Sequence, residues 1–247
     1  YMTRQGSSLI AVRAGQGRLD AGLRLVGAHT DSPNLSVKPN PVKGRDGCVQ
    51  LGVDVYGGAL LNPWFDRDLA IAGRVTLLSA SGELCSTLFD SARPIAVVPS
   101  LAIHLDRDAN KQRSINPQKD VVPLVMLGDP QQFDFKVWLA ETLTAQDAQW
   151  QNARVMDYEL SLYDVQAPAV AGMDESWITS ARLDNLLSCF AGLSALIDAD
   201  DAEWSMLVAT DHEEVGSAST VGAQGPMLMD ALIALVPEPQ DNQQLRK

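Results

Sequence analysis

Trp204-Ser205-Met206-Leu207-Val208-Ala209-Thr210-Asp211-His212-Glu213-Glu214-Val215-Gly216-Ser217 is the stretch that decides the fold. Residues 204–209 form a short, almost wholly apolar run bounded by polar groups, the pattern of a buried strand. Upstream, Leu186, Leu187, Phe190, Leu193, Leu196 and Ile197 recur at helical spacing behind a strand-like run at 178–182. Downstream, residues 227–235 read as a second helix. Strand, helix, strand, helix in that order is an α/β signature. Open α/β sheets bind ligands beyond the carboxyl ends of their strands. Asp211, His212, Glu213 and Glu214 stand at such an end.

Working outward, residues 8–12 and 23–28 are further short apolar runs on either side of a Gly/Asp-containing turn, and they read as paired strands. The second ends at His29-Thr30-Asp31-Ser32-Pro33. Beyond Pro33 the texture changes. Pro39, Pro41, Gly44, Gly47, Gly57, Gly58 and Pro63 punctuate short runs at 49–53, 74–78 and 95–98, and residues 155–163 alternate like a strand. Residues 110–123 read as a polar loop. Residues 133–150 form the one clear helix of this region, with Phe135, Trp138, Leu139 and Leu143 at three- and four-residue spacing. The texture changes again near Gln166. The expected architecture is an α/β domain with a mixed sheet, built from residues 1–39 and 167–247. A β-rich inserted domain at 40–166 interrupts it. A chain of 247 residues is long enough for both.

Composition narrows the function. Lys and Arg number 19 against 31 Asp and Glu, so the net charge of −12 argues against a nucleic-acid surface, which needs clustered cations. No apolar run approaches the roughly 20 residues that span a membrane. No basic segment leads into an apolar one near Tyr1-Met2-Thr3, so no secretory leader is visible. Cys48, Cys85 and Cys189 fit neither a disulfide framework nor a Cys-x-x-Cys metal knuckle. They read as small buried hydrophobes in a reducing compartment such as the cytoplasm.

Polar residues gather in clusters that each follow a strand-like segment: His29 with Asp31, Asp184 with Asn185, and Glu213 with Glu214. A hydrolytic zinc site needs imidazole and carboxylate ligands and one position open to water. A two-metal site also needs a carboxylate to bridge ions about 3.5–4 Å apart. His29 suits a metal through one ring nitrogen while Asp31 receives the proton of the other. Asp184 is short enough to bridge. In an extended segment the side chains of Glu213 and Glu214 diverge, so one ligates and the other faces substrate. Each cluster also has a plainer reading: a hydrogen-bonded turn histidine, an Asx helix cap, and a solvated acidic loop. The three together, in this order, are far more specific than any one.

The sequence resembles the aspartyl aminopeptidases, two-zinc metallo-aminopeptidases. The matching segments are Gly27-Ala28-His29-Thr30-Asp31-Ser32-Pro33, Tyr56-Gly57-Gly58, Trp64-Phe65-Asp66-Arg67-Asp68-Leu69, Leu101-Ala102-Ile103-His104-Leu105, Ala181-Arg182-Leu183-Asp184-Asn185-Leu186 and Asp211-His212-Glu213-Glu214-Val215-Gly216-Ser217. The resemblance implies a phosphorylase/hydrolase-like zinc-peptidase fold carrying an inserted oligomerisation domain. It implies that His29, Asp184 and Glu214 ligate zinc, two ions per subunit, with Asp184 bridging them through a residue whose bond to Asn185 is cis. Glu213 would be the general base, Asp31 the partner of His29, and His104 a residue reaching a neighbouring subunit's site. It further implies peptide substrates with an N-terminal Asp or Glu, and a homo-oligomer, the dodecamer. The cluster at 64–68 reads as an ordered turn with an internal ion pair.

The chain departs from that family in one respect. Family members continue past Lys247 and supply one more carboxylate ligand and one more histidine ligand. Here only Asp230, Glu238 and Asp241 follow Glu214 as carboxylates, and no histidine follows His212. The expectation is that the 247-residue polypeptide alone does not bind two zincs tightly and has little or no peptidase activity. A related two-metal aminopeptidase or deacylase, and a non-catalytic oligomerisation module, stay open as alternatives.

Overall fold

The structure, a computed structural model, describes residues 1–236. Glu238 and Asp241 therefore lie outside the described residues. The strands are β1 (Met2–Arg4), β2 (Ser8–Arg13), β3 (Leu23–His29), β4 (Asn34–Arg45), β5 (Cys48–Tyr56), β6 (Leu69–Leu78), β7 (Leu84–Asp90), β8 (Leu124–Leu127), β9 (Arg154–Asp164), β10 (Ala169–Ala171), β11 (Trp177–Thr179) and β12 (Trp204–Thr210). The helices are α1 (Ala109–Gln112), α2 (Phe135–Gln146), α3 (Leu183–Asp198) and α4 (Met227–Leu235). The chain divides into two compact units, one of Tyr1–Ser32 with Ser180–Lys247, the other of Pro33–Thr179.

These bounds differ from the 40–166 drawn on sequence texture. Residue 40 falls inside β4, whose pairing with β5 begins at Asn34↔Tyr56, so no division can pass through it. At the other end, β10 and β11 pair with each other and belong with the insert.

The first unit carries a mixed sheet in the order β1-β2-β12-β3. Contrary to the pairing expected from sequence, the strands at 8–13 and 23–29 do not pair with each other: β12 lies between them, antiparallel to β2 and parallel to β3. Successive strand residues face opposite sides of the sheet. Met206 and Val208 join Ile10, Met227 and Ala231 in one cluster, which puts α4 on that face. Leu207 points to the other face, where α3 crosses through Gly192.

The second unit is an antiparallel six-stranded sheet, ordered β7-β6-β9-β4-β5-β8. Residues 95–98 make isolated bridges rather than a strand: Val97 pairs Leu124 and Ala96 pairs Leu69, tying β8 to the start of β6. Gly73 in β6 has φ +153, and a Cβ there would fall 2.0 Å from the Glu159 carbonyl oxygen, so a close strand approach requires glycine. Asp134 caps α2 by accepting from the N–H groups of Lys136 and Val137. The apolar stripe of α2, with Phe135, Leu139 and Leu143, is buried among Leu35, Leu51, Ile71, Leu160 and their neighbours. Phe135 stacks obliquely on Trp138 and meets Tyr158 edge-on. The Tyr158 hydroxyl donates to the Lys38 carbonyl at 2.7 Å, and burial pushes its pKa up, with Asp157 adding to the effect.

Two further expectations change. The ion pair of the 64–68 cluster runs outward rather than within it: Arg67 reaches Asp164 at 3.4 Å, and Asp66 accepts from the Ser100 N–H, a bond that holds its carboxyl below the usual range. The three cysteines are free but half-buried rather than buried. No helix among the described residues is long and apolar enough to cross a membrane.

Leu139 is 0% exposed at the centre of the insert's core. Leu139→Ala is expected to cost about 2–5 kcal/mol through lost burial and an unfilled cavity, read as a lower urea midpoint by circular dichroism.

Candidate metal centre

The first unit brings its polar clusters to one end of the sheet. β3 and β12 run parallel in a register that sets Ala28 opposite Ala209 and His29 opposite Thr210. Their carboxyl ends are therefore side by side, and the Thr30 N–H donates to the Thr210 carbonyl at 2.8 Å. After β12, His212 adopts a left-handed conformation at φ 62, which turns the chain sharply into the short 3-10 turn Glu213–Val215. That turn, not an extended segment, carries the two glutamates.

Asp31 holds the arrangement. One carboxylate oxygen accepts from the Glu213 N–H and the other from the Glu214 N–H, each at 3.1 Å. These donors open the turn and have no partner inside it. The same carboxylate stands 3.3 Å from His29 Nδ1, while the Asp31 main-chain carbonyl stands 3.1 Å from that nitrogen. A carbonyl only accepts, so Nδ1 carries the proton and Nε2 presents its lone pair. The proton thus goes to the Asp31 carbonyl, with the carboxylate beside it, rather than to the carboxylate alone.

His29 Nε2 faces acidic oxygens: Asp184 Oδ1 at 3.5 Å and Glu213 Oε2 at 3.7 Å. Ligand atoms of His29, Glu213 and Glu214 all lie within 4.8 Å of one another. Both glutamates are thus within reach of the same point, where divergence was expected, because the turn curls them to one side. The His29 side chain is 14% exposed and that of Asp31 7%, whereas Asp184 and Glu213 are 83% and 54% exposed. The imidazole is fixed in the fold, and the carboxylates line its open side.

Asp184 sits at the start of α3, not at a strand end. Asp184 and Asn185 leave helical geometry there, and the peptide between them is cis. The Ser32 hydroxyl donates to the Asp184 carbonyl at 3.0 Å, the Asn185 side-chain oxygen accepts from the His29 N–H at 3.2 Å, and the Cys189 thiol donates to the His29 carbonyl at 3.1 Å. Burial pushes the Cys189 pKa up, so the thiol stays protonated as a donor. Asp211 and His212 act as supports: the Asp211 N–H donates to the Ser8 hydroxyl at 2.9 Å, and His212 Nδ1 meets the Ser219 hydroxyl at 2.7 Å. Ser8, Ser219 and Cys189 carry no sequence signal for this role, since each acts through a fold-dependent contact. His104 belongs to the other unit. It stands on an exposed turn rather than in a strand, among Leu101, Ile103 and Leu105, all more than half exposed.

One imidazole nitrogen and several carboxylate oxygens converging on one point form a donor set that fits zinc. Tying the second nitrogen of His29 to a main-chain carbonyl and a carboxylate is the usual way of orienting a metal-binding imidazole.

Residues 1–246 match the family described as Aminopeptidase I zinc metalloprotease (M18). A probable M18 family aminopeptidase 2 of Ectopseudomonas mendocina is 54% identical over 243 residues, covering 98% of this chain and 56% of its own. The chain thus spans little more than half the length of the curated relatives it matches. Among solved structures, mApe1 of Chaetomium thermophilum superposes with a TM-score of 0.82 at 29% identity, over 94% of this chain and 56% of its own. The S. cerevisiae mApe1 dodecamer gives 0.75 at 26% identity, over 93% and 53%. With nearly every residue inside the match, the chain belongs to the aminopeptidase I zinc metalloprotease (M18) family.

Proposed function

We propose that this chain carries a large part of the active site of an aminopeptidase that removes the N-terminal residue of peptides, with preference for Asp or Glu. The observation that carries the reading is the convergence of His29, Asp184, Glu213 and Glu214 beyond the ends of β3 and β12, with Asp31 beneath them.

His29 through Nε2, Asp184 and Glu214 would hold zinc, with Asp184 shared between two ions. Bound there, zinc supplies a more acidic water and polarises the scissile carbonyl. Glu213 takes the proton of the attacking water on a side-chain oxygen and returns it to the departing amine. Its exposure supports this role, since a base must meet substrate, whereas Glu214 is less exposed. Asp31 keeps the proton on His29 Nδ1 and fixes the backbone from which both glutamates extend. His104, on its exposed turn, acts in the site of a neighbouring subunit of a homo-oligomer built through the insert, the dodecamer being the expected form. A reducing compartment such as the cytoplasm suits three free cysteines. These residues give each of two zincs two protein ligands, and catalytic zinc sites use three.

Comparing release of N-terminal Asp, Glu, Leu and Lys tests the specificity; equal rates for all four would refute the acidic preference. Glu213→Gln should lower kcat by about 10²–10⁴-fold with zinc content unchanged, whereas Glu214→Gln should lower zinc content. A Glu213→Gln protein that loses its metal would contradict the assignment of base and ligand. Asp31→Ala should weaken zinc binding about 10–100-fold, measured by chelator competition.

A further inference from the structure

The turn at 62–66, which the candidate metal centre does not use, grips both ends of the loop that carries His104. Asn62–Trp64 form a 3-10 turn with Pro63 in its first positions. Asp66 follows in the left-handed region at φ 59, a conformation that Asp tolerates better than most residues. Phe65 makes a parallel bridge with Val98, and the Asp66 N–H donates to the Val98 carbonyl at 2.9 Å. Pro99 has no N–H to offer. The pairing skips it, and the Ser100 N–H donates to Asp66 Oδ1 at 2.8 Å. One residue thus takes the carbonyl before Pro99 and the N–H after it.

The far end of the loop is held by the same turn. Arg113 donates to Asn62 Oδ1 at 3.3 Å, and its guanidinium carbon lies 3.8 Å from the centre of the Phe65 ring. A cation over an aromatic face is attracted by the negative face of the ring. Phe65 belongs to the insert's core, so the platform under Arg113 is fixed by packing. Between these two anchors no residue from Ser100 to Arg113 is buried. The loop closes on itself through local bonds: the Leu105 N–H donates to the Ala102 carbonyl and the Lys111 N–H to the Asp108 carbonyl, each at 2.8 Å. A cavity of about 340 Å³ lies between loop and turn, lined in part by Asn62, Ser100, Ile103 and Arg113. With no core inside the loop, its position depends on how its ends are held.

We propose that Asp66 and Arg113 are positioning residues for His104: they pin the two ends of its loop to one turn and so fix where the exposed imidazole stands. The inference rests on the reading of His104 as a residue that acts in a neighbouring subunit's site. A group delivered across a subunit boundary needs a defined position, because a misplacement of about 1 Å can cost about 10²-fold in rate. The same arrangement gives the cluster at 64–68 a task, with Phe65 as the platform and Asp66 as the clasp.

The chain has three histidines, which makes a specific test possible. With histidine labelled for NMR, the ring signals of His104 are read against those of His29 and His212, and trypsin cleavage after Arg107 is followed by mass spectrometry. Asp66→Gly keeps the left-handed backbone and removes only the carboxylate, while Arg113→Ala removes the far anchor. Each should move the His104 signals towards those of an unstructured peptide and leave His29 and His212 unchanged. Each should also speed cleavage after Arg107 about tenfold, the effect on a local opening equilibrium of losing one hydrogen bond to a charged group. Asp66→Asn, which keeps an acceptor oxygen, should return both readouts to those of the parent chain. Unchanged His104 signals and cleavage in Asp66→Gly, an equal disturbance at His29 and His212, or Asp66→Asn behaving like Asp66→Gly would each overturn the proposal. None of these readouts needs turnover. The reading of His104 as a catalytic residue fails separately, if His104→Ala leaves the rate of the assembled enzyme unchanged.

Discussion

The Asp31 carboxylate accepts the N–H of Glu213 on one oxygen and the N–H of Glu214 on the other. With its own carbonyl taking the proton of His29 Nδ1, one residue ties together the ends of two strands that are far apart in sequence. The register of β3 against β12 makes this possible, because it leaves both strands ending at the same level. A shift of one residue would turn His29 to the opposite face of the sheet and aim its ring away from the glutamates. The candidate metal centre is therefore a consequence of strand pairing, and its electrostatics follow from it: an almost buried carboxylate is tolerated because backbone donors and an imidazole surround it.

Much of this was legible from sequence, and the reasons are local. The apolar run at 204–209 and the helices at 183–198 and 227–235 show their periods directly, and the bounds of α4 fall where the pattern places them. His29, Asp31, Asp184, Glu213 and Glu214 stood out because acidic residues and histidine follow apolar segments. What was not legible depends on partners distant in the chain. Nothing in residues 8–13 or 23–29 says that a strand about 180 residues later, β12, inserts between them. The run at 101–105 has the composition of a strand, yet among the described residues no strand pairs with it, and it becomes an exposed turn bearing His104. The insert's limits differ from those of the compact units, having been drawn from a texture punctuated by Pro39 and Pro41. These prolines fall where the β4–β5 register shifts between Val37 and Val42, a break that accommodates residues without an N–H.

The two units each have a separate apolar core, and they differ in how complete those cores are. In the insert, Leu35, Ile71, Leu139, Leu160 and Leu162 are all at most 1% exposed. In the first unit the sheet is covered by α4 on one face and by α3 on the other, yet the large side chains of α3 point outward. Helical periodicity revealed that α3 exists, but not which side meets the sheet. That is decided by Gly192, whose missing side chain is what the close contact with Leu207 requires.

The central claim is that His29 Nε2 and carboxylate oxygens, arranged by Asp31, make a zinc site. Zinc-edge X-ray absorption of the protein with sub-stoichiometric zinc tests it most directly. The account predicts a first shell of nitrogen and oxygen at about 2.0–2.2 Å, with imidazole scattering that disappears in His29→Ala. A sulfur shell at about 2.3 Å, which would implicate Cys189, or a spectrum unchanged by His29→Ala, would contradict it.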